Sequence, residues 1–382
     1  MKRRVRVGLL FSLSGSYALL GQAMHAGALL AIGEVNDGPS EVVLEPVAVD
    51  PGGRIADYVD GARALLADGI THVVGCYTSS SRKEVLPLFE KHDALLWYPS
   101  HYEGFETSEN VVYTGAAPNQ HIVPLTRYLL ESGRRRAWLA GSNYVWAWEN
   151  NRIMREAVLA AGGEIAGERY FPVGDTDLQP LVGQILDAAP DFVFNTMIGA
   201  SSYAFFRLLR AEALRRGIDQ PQAAPVASCS LSEPELACLG AAADGHISSS
   251  VYFSSIDSLS NARFLEAWKA RRPDPGPTSA DAEAAYIAVH LLARAIAAAG
   301  GAGLEAVRGA LASVSLDAPQ GMVRIDPENR HAYLRPRIGL SRSDGSFRIV
   351  AECPAAIRPD PYLVWEAPRA AGEAASPLRL VS

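Results

Sequence analysis

Hydroxyl-bearing and aromatic residues cluster in four short segments, each of which follows an apolar, strand-like run of this sequence. The segments are 77–83 (YTSSSRK), 99–104 (PSHYEG), 141–148 (GSNYVWAW) and 229–230 (CS). Hydroxyl groups can hydrogen-bond the edges of a small polar molecule while aromatic rings cover its faces. The pattern therefore indicates a site for a small planar polar ligand. The alternative for each segment taken alone is that the serines only cap helices and the rings only pack.

Catalytic chemistry is disfavoured by the same residues. Ser79, Ser80, Ser81 and Lys83 superficially resemble the serine–lysine pair of some amidases, but the chain has no GxSxG elbow and no legible His/Asp partner. Residues 8–15 match neither of the phosphate-loop patterns GxGxxG and GxxxxGK(S/T). The eight histidines and four cysteines show no metal-ligand spacing. We therefore expect a protein that is not an enzyme and has no catalytic residue, no cofactor and no metal.

Strand and helix patterns alternate along the chain in two successive series, with a break near 113–119. The strand patterns of the first series are 5–11, 42–49, 72–76 and 94–98, and those of the second are 137–140, 167–171, 192–197 and 225–228. Helical patterns between the strands imply right-handed βαβ units and parallel sheets. Ligands of such sheets bind beyond the carboxyl ends of the strands, where the polar segments fall.

The pattern changes after residue 253. Helical patterns at 262–271, 281–299 and 304–311 precede a strand at 322–325. A hairpin then pairs 336–340 with 347–351 across a Ser-Asp-Gly turn.

Bulk properties set outer limits on the function. A chain of 382 residues predicts two domains, and 48% hydrophobic with 20% charged residues is ordinary for a globular protein. The net charge of −7 argues against direct nucleic-acid binding. The basic start leads into an alternating strand rather than a signal-peptide core, and we find no membrane-spanning run. We expect a cytoplasmic location without membrane insertion, or a periplasmic one if a signal peptide has been removed.

Several of these segments resemble a known family. Residues 75–83, 97–106, 113–120 and 252–257 are similar to the urea and short-chain amide receptors of the type I periplasmic-binding-protein superfamily. Residues 318–321 and 357–362 resemble one branch, the amide-binding negative regulators of aliphatic amidase operons. That branch commonly has threonine, proline, tyrosine and threonine where this chain has Ser100, His101, Trp146 and Ser230, while Thr78-Ser79 and Trp97-Tyr98 lean toward the urea-transport receptors.

The resemblance implies an α/β fold of two doubly wound parallel-sheet lobes, joined by three hinge crossings into a clamshell that closes on its ligand. Residues 1–116 with 254–320 would form the N-terminal lobe, and 117–253 with 321–382 the C-terminal lobe, with the crossings near 113–119, 252–256 and 319–325. The ligand-binding residues implied by the resemblance are Tyr77, Ser79, Tyr98 and Ser100 in the first lobe and Tyr144, Trp146 and Ser230 in the second.

The sequence leaves three functions open. The first is a cytoplasmic sensor of a small neutral amide or urea that controls an RNA-binding antiterminator of amidase genes. The second is the solute-binding subunit of an ABC importer for urea or short-chain amides, with a permease as its partner. The third, an amidase, would release ammonia from acetamide or urea. Homo-oligomerisation is left open.

Overall fold

The structure, a computed structural model, describes residues 2–271, 276–364 and 378–381. The chain divides into two compact units. The first comprises residues 1–117 and 256–334, and the second comprises 118–255 and 335–382. The chain therefore passes from one unit to the other after Ala117, Ser255 and Leu334.

The first stretch alternates strands and helices around a parallel sheet. Its strands are β1 Arg3–Leu10, β2 Val42–Val49, β3 His72–Gly75, β4 Leu95–Tyr98 and β5 Val111–Tyr113. Its helices are α1 Ala18–Asp37, α2 Ile55–Ala67 and α3 Ser79–Lys91. The strand order is β2-β1-β3-β4-β5, and every pairing is parallel. Strands β3, β4 and β5 are buried throughout, because helices cover both faces of such a sheet.

The second stretch repeats this plan in the second unit. Its strands are β6 Arg136–Ser142, β7 Glu164–Phe171, β8 Phe192–Thr196, β9 Val226–Ser228 and β10 Ile247–Ser250. Its helices are α4 Ile122–Glu131, α5 Val145–Ala160, α6 Gln179–Ala188, α7 Ala200–Arg215, α8 Gln220–Ala223 and α9 Glu233–Leu239. The parallel order β7-β6-β8-β9-β10 places the reversal of strand order between β6 and β8. In the first sheet the same reversal lies between β1 and β3, so each unit has its own switch point for ligand binding.

The chain then returns to the first unit. This stretch contributes α10 Leu259–Ala270, α11 Ala280–Ala299, α12 Leu304–Ala310, β11 Ser315–Ala318 and β12 Gly321–Arg324. Helix α11 packs closely on α1, because a Cβ at Gly27 would lie 2.1 Å from the carbonyl oxygen of Ala282. Both helices are long and apolar enough to cross a membrane, but more than half of each apolar stretch is buried in the unit, as in the core helices of a globular protein.

The last stretch completes the second sheet. Strands β13 Arg337–Ser341, β14 Phe347–Glu352 and β15 Arg379–Leu380 add to its edge, with β13 antiparallel to β10. The predicted hairpin is confirmed as β13 and β14. The second sheet is therefore mixed rather than wholly parallel, because a short hairpin connection can form only antiparallel pairs.

The two-lobed α/β fold predicted from the sequence is confirmed, but one long segment differs from its predicted lobe, and the other two boundaries shift by one or two residues. Residues 321–334 belong to the first unit and not to the second. Strand β12 pairs with β11, and the Tyr113 backbone N–H donates to the carbonyl oxygen of Arg330, so the segment is held on the edge of the first sheet. The last change of unit thus comes after Leu334, beyond the predicted crossing at 319–325.

Candidate functional site

The polar segment after β3 begins helix α3 at the carboxyl edge of the first sheet. Thr78 is the N-cap, and its hydroxyl accepts a hydrogen bond from the Ser81 backbone N–H at 3.1 Å. The alternative that the serines of this segment only cap the helix is therefore wrong, since Thr78 is the cap and Ser79 is not needed to start the helix. Cys76 has a φ of 66°, a left-handed conformation that a residue with a Cβ rarely adopts and that is enriched at functional sites.

Ser79 is almost completely buried, and its hydroxyl is directed at an acid. Its Oγ donates to Oε2 of Glu103, which lies in the segment after β4. The other Glu103 oxygen accepts from Arg82 Nη2 at 3.0 Å. Only 2% of Ser79 and 1% of Glu103 are exposed, so this hydrogen bond is shielded from water.

Arg82 is a fully buried cation that two carboxylates neutralise. Its Nε lies 2.7 Å from Glu106 Oε1, in addition to the contact with Glu103, and Lys83 Nζ lies 2.8 Å from Glu106 Oε2. Burial acts to lower the pKa of Arg82, but Glu103 and Glu106 outweigh it and raise that pKa well above its usual value. Burial likewise acts to raise the pKa of Glu106, and the charge of Arg82 holds it at about 2. The guanidinium is thus engaged within the protein.

Ser100 follows β4, the neighbour of β3, and it also donates to a buried acid. Its Oγ donates to Asp281 Oδ1 at 3.0 Å, and His101 Nδ1 lies 3.5 Å from the same oxygen. Asp281 stands in the first turn of α11, whose N-cap Ser279 accepts from the Ala282 backbone N–H. The helix dipole favours a negative charge there.

The two predicted tyrosines of the first unit have different surroundings. The Tyr77 ring lies 5.8 Å from that of Tyr17, so the loops after β3 and β1 meet at the switch point. The Tyr98 ring belongs to the apolar core, with the Arg82 guanidinium 4.7 Å from its centroid. The Tyr98 hydroxyl donates to the Tyr77 carbonyl oxygen at 2.8 Å. Tyr98 therefore holds the Tyr77 loop in place through this hydrogen bond. A direct contact between Tyr98 and the ligand stays a prediction.

The predicted aromatic residues of the second unit lie at the start of α5, directly after β6. Tyr144 is the N-cap residue, and its ring stacks on that of Trp146 with 6.2 Å between centroids and 25° between planes. Trp146 is buried, whereas Trp148 is about half exposed and its indole donates to Asn143 Oδ1. Because α5 follows β6, this pair lies at the switch point of the second sheet.

Ser230 follows β9, and a buried acid lies a short way beyond it. The Ser230 backbone N–H donates to Ser228 Oγ at 3.1 Å, and the two hydroxyls are 3.2 Å apart. Glu233 begins α9, and its Oε1 accepts from the Ser254 backbone N–H at 2.7 Å. Burial raises the pKa of Glu233 to about 7, against the lowering effect of the hydrogen bonds from Ser254.

The structure thus groups the predicted residues in two sets, each at the carboxyl edge of its own sheet. The first set is Tyr77, Ser79, Tyr98 and Ser100, and the second is Tyr144, Trp146 and Ser230. Sequence reasoning missed the buried acids Glu103, Asp281 and Glu233. Glu103 and Glu106, three residues apart just beyond β4, could have been noticed as partners for Arg82.

Metal and disulfide chemistry find no support in the described part of the chain. No group of three or more histidine, cysteine, aspartate or glutamate side chains there could hold a metal ion. All four cysteines are free thiols. Burial raises the pKa of Cys76 to about 12, which keeps it protonated and unreactive at neutral pH.

Comparison with known proteins identifies the family. Residues 5–368 match the family described as periplasmic binding protein domain, and the chain belongs to it. A Leu/Ile/Val-binding protein homolog of Brucella abortus is 26% identical over 348 residues, covering 87% of each chain. A leucine-, isoleucine-, valine-, threonine- and alanine-binding protein of Pseudomonas aeruginosa is 25% identical over 328 residues, covering 84% of this chain and 86% of the relative.

Solved structures share the fold. A solute-binding protein of an ABC transporter from Rhodopseudomonas palustris, in complex with p-hydroxybenzoic acid, superimposes with a TM-score of 0.84 at 22% identity, covering 95% of this chain and all (100%) of that one. A branched-chain amino-acid transporter substrate-binding protein from Streptococcus pneumoniae, in complex with isoleucine, gives 0.79 at 20% identity, with coverage of 91% and 99%. The chain is a solute-binding protein of the type I class, and the prediction of a non-catalytic protein is confirmed by this membership.

Proposed function

We propose that this protein binds a small neutral amide or urea. One observation carries the proposal: Arg82, the fully buried cation next to the proposed ligand serines, is already paired with Glu103 and Glu106. A ligand carboxylate placed there would meet acids and a neutralised arginine, and burying it without a cation is costly. A neutral ligand needs only the hydroxyl groups and rings that Ser79, Ser100 and the aromatic residues offer.

The ligand class is tested by thermal unfolding of the purified chain with a panel of candidate solutes. Acetamide, propionamide, butyramide, urea and leucine are added separately at one concentration. A ligand that binds only the folded state stabilises it, by about 2.7 kcal/mol at a hundred times its Kd. We expect an amide or urea at low concentration to raise Tm and leucine to leave it unchanged. Stabilisation by leucine alone would contradict the proposal.

Ser79→Ala is expected to weaken amide binding by roughly tenfold or more. The substitution removes a hydroxyl that pairs with the ligand, and an unpaired polar atom in a closed site costs about 1–3 kcal/mol. Helix α3 should still form because Thr78 is its cap. The measurement is Kd by calorimetry. The matched control is Ser80→Ala, one residue further along the same turn, which should leave Kd unchanged. Equal Kd values for all three proteins would remove Ser79 from the site.

Tyr144→Ala tests whether the second unit takes part in binding. Its ring, stacked on Trp146, is proposed to cover one face of the ligand, so we expect about tenfold weaker binding. Trp148→Ala is the control, because Trp148 lies on the same turn of α5 but is half exposed and bonded to Asn143. A larger loss in the control than in Tyr144→Ala would reverse the assignment of these two rings.

For the biological role, we propose the solute-binding subunit of an ABC importer, working outside the cytoplasm with a permease. The relatives are named as amino-acid-binding proteins, and the solved structures include solute-binding proteins of ABC transporters, which favours this role over the cytoplasmic sensor predicted first. Closure on the ligand, as the resemblance implies, would then promote docking to the permease.

Deleting the gene should abolish uptake of radiolabelled acetamide or urea at low concentration. Normal uptake with constitutive amidase expression would instead support the regulator of an antiterminator.

A further inference from the structure

The two serines proposed to meet the ligand in the first unit share one property, which is that each donates its only O–H to a buried carboxylate. Ser79 Oγ donates to Glu103, and Ser100 Oγ donates to Asp281. A hydroxyl group has one hydrogen and two acceptor lone pairs. With the hydrogen directed at a carboxylate, each serine has only lone pairs to offer to a ligand.

Both carboxylates act as hydrogen-bond acceptors toward the serines, and each has a partner that favours negative charge. Glu103 is paired with the buried guanidinium of Arg82 at 3.0 Å. Asp281 lies in the first turn of α11, where the helix dipole favours negative charge. Rotating either serine hydroxyl toward a ligand acceptor would leave a buried carboxylate short of a hydrogen bond, which is costly for a charged group. Arg82 Nη1 lies 3.5 Å from Ser79 Oγ, a long contact that still leaves a lone pair for the ligand.

We propose that Glu103 and Asp281 are positioning residues that make this part of the site selective for ligand N–H donors. The inference rests on the proposed function and specifies it further: the NH2 end of an amide, or a urea N–H, lies against Ser79 and Ser100. A methyl group or a carboxylate oxygen at the same place has no hydrogen-bond partner, and a carboxylate oxygen also meets two like charges. The acids act through the serines: they fix each serine hydroxyl as an acceptor for a ligand N–H rather than a donor to a ligand oxygen.

Acetamide, acetone and acetate test the selectivity for ligand N–H donors, because the three molecules have nearly the same shape. Acetone replaces the NH2 group of acetamide with a methyl group, and acetate replaces it with an oxygen. We expect the full chain to bind acetamide at least about tenfold more tightly than acetone, and acetate more weakly still. The Kd values are measured by calorimetry, with displacement for the weak ligands.

Asp281→Asn is the informative variant. The asparagine amide can donate to Ser100 Oγ, which releases the serine hydrogen for a ligand acceptor. The acetamide-to-acetone preference should therefore fall severalfold, to about threefold, and acetate should bind more tightly than to the wild type. A merely structural role for Asp281 would weaken all three ligands equally and leave the ratio unchanged. Asp281→Glu, which keeps the charge, should keep the preference.

Asp317→Asn is the matched control. Asp317 accepts a hydrogen bond from Ser260 at 2.7 Å on the exposed edge of β11, so the variant removes the same charge from the same kind of pair. It should not change any ratio. If Asp281→Asn does not fold, Glu103→Gln gives the equivalent test through Ser79.

The outcomes separate the two proposals. An unchanged ratio in a folded Asp281→Asn protein that still binds acetamide would overturn the polarity inference and leave the proposed function standing. A wild-type protein that binds neither amides nor urea would overturn both.

Discussion

Replacing Arg82 with methionine is expected to lower the free energy of unfolding by about 3–5 kcal/mol. The guanidinium is fully buried and lies between Glu103 and Glu106, so its removal leaves two carboxylates in a site that is largely closed to water. The aromatic rings around it add to the loss, because the guanidinium lies 4.7 Å from the ring centroids of both Tyr98 and Tyr102. Equilibrium unfolding in guanidinium chloride measures the change, and urea is avoided because it is a candidate ligand.

Lys83→Met provides the comparison for this result. Lys83 contacts the same two acids, but its side chain is 39% exposed, and exposed ion pairs contribute only about 0–1 kcal/mol. We therefore expect a small loss for Lys83→Met and a large one for Arg82→Met. Similar losses of unfolding free energy in the two variants would show that the buried ion pairs of Arg82 stabilise the protein no more than the exposed ones of Lys83.

Glu233→Gln is expected to stabilise the protein at pH 8 and to change how its stability depends on pH. The pKa of Glu233 rises from 4.5 to about 7 on folding because the carboxyl group is buried. The folded protein therefore binds a proton more tightly than the unfolded chain does. This favourable contribution is complete below about pH 4.5 and is lost as the pH rises through 7, which corresponds to roughly 3 kcal/mol. Glutamine imitates the protonated acid at every pH, so the variant should be up to roughly 3 kcal/mol more stable at pH 8 and nearly equal to the wild type at pH 4.5.

Other buried groups change the absolute stability over the same range, so the difference between the two proteins is the quantity to measure. Burial lowers the pKa of His246 and of His331 to about 3, and their contribution is present above pH 6.5 and lost on acidification. Both proteins keep these histidines, and their effect cancels in the difference. Glu84→Gln, which removes an exposed acid from α3, should follow the wild type throughout. Parallel curves for Glu233→Gln and the wild type would show that Glu233 stays ionised in the folded state.

The sequence predicted those parts of the molecule that depend on short-range pattern. Alternating strands and helices of ordinary length identified both α/β series, and the Ser-Asp-Gly turn identified the hairpin of β13 and β14. The rule that ligands bind beyond the carboxyl ends of parallel strands directed attention to Ser79 and Ser100, which the structure shows after the adjacent strands β3 and β4.

The parts that could not be predicted depend on contacts between distant residues. Asp281 is 181 positions from Ser100 and reaches it only because α11 returns to the first unit. Nothing local distinguished Thr78 from the three serines that follow it as the cap of α3. The assignment of 321–334 to the first unit depends on the pairing of β11, a four-residue strand without a strong apolar pattern, with β12.

Calorimetric titration of the purified chain with acetamide, urea and leucine tests the central claim most directly, because it gives both affinity and stoichiometry. We expect one molecule of acetamide or urea to bind per chain, and leucine to give no heat beyond that of dilution. Tight one-to-one binding of leucine, together with no heat from acetamide, propionamide, butyramide or urea, would contradict it.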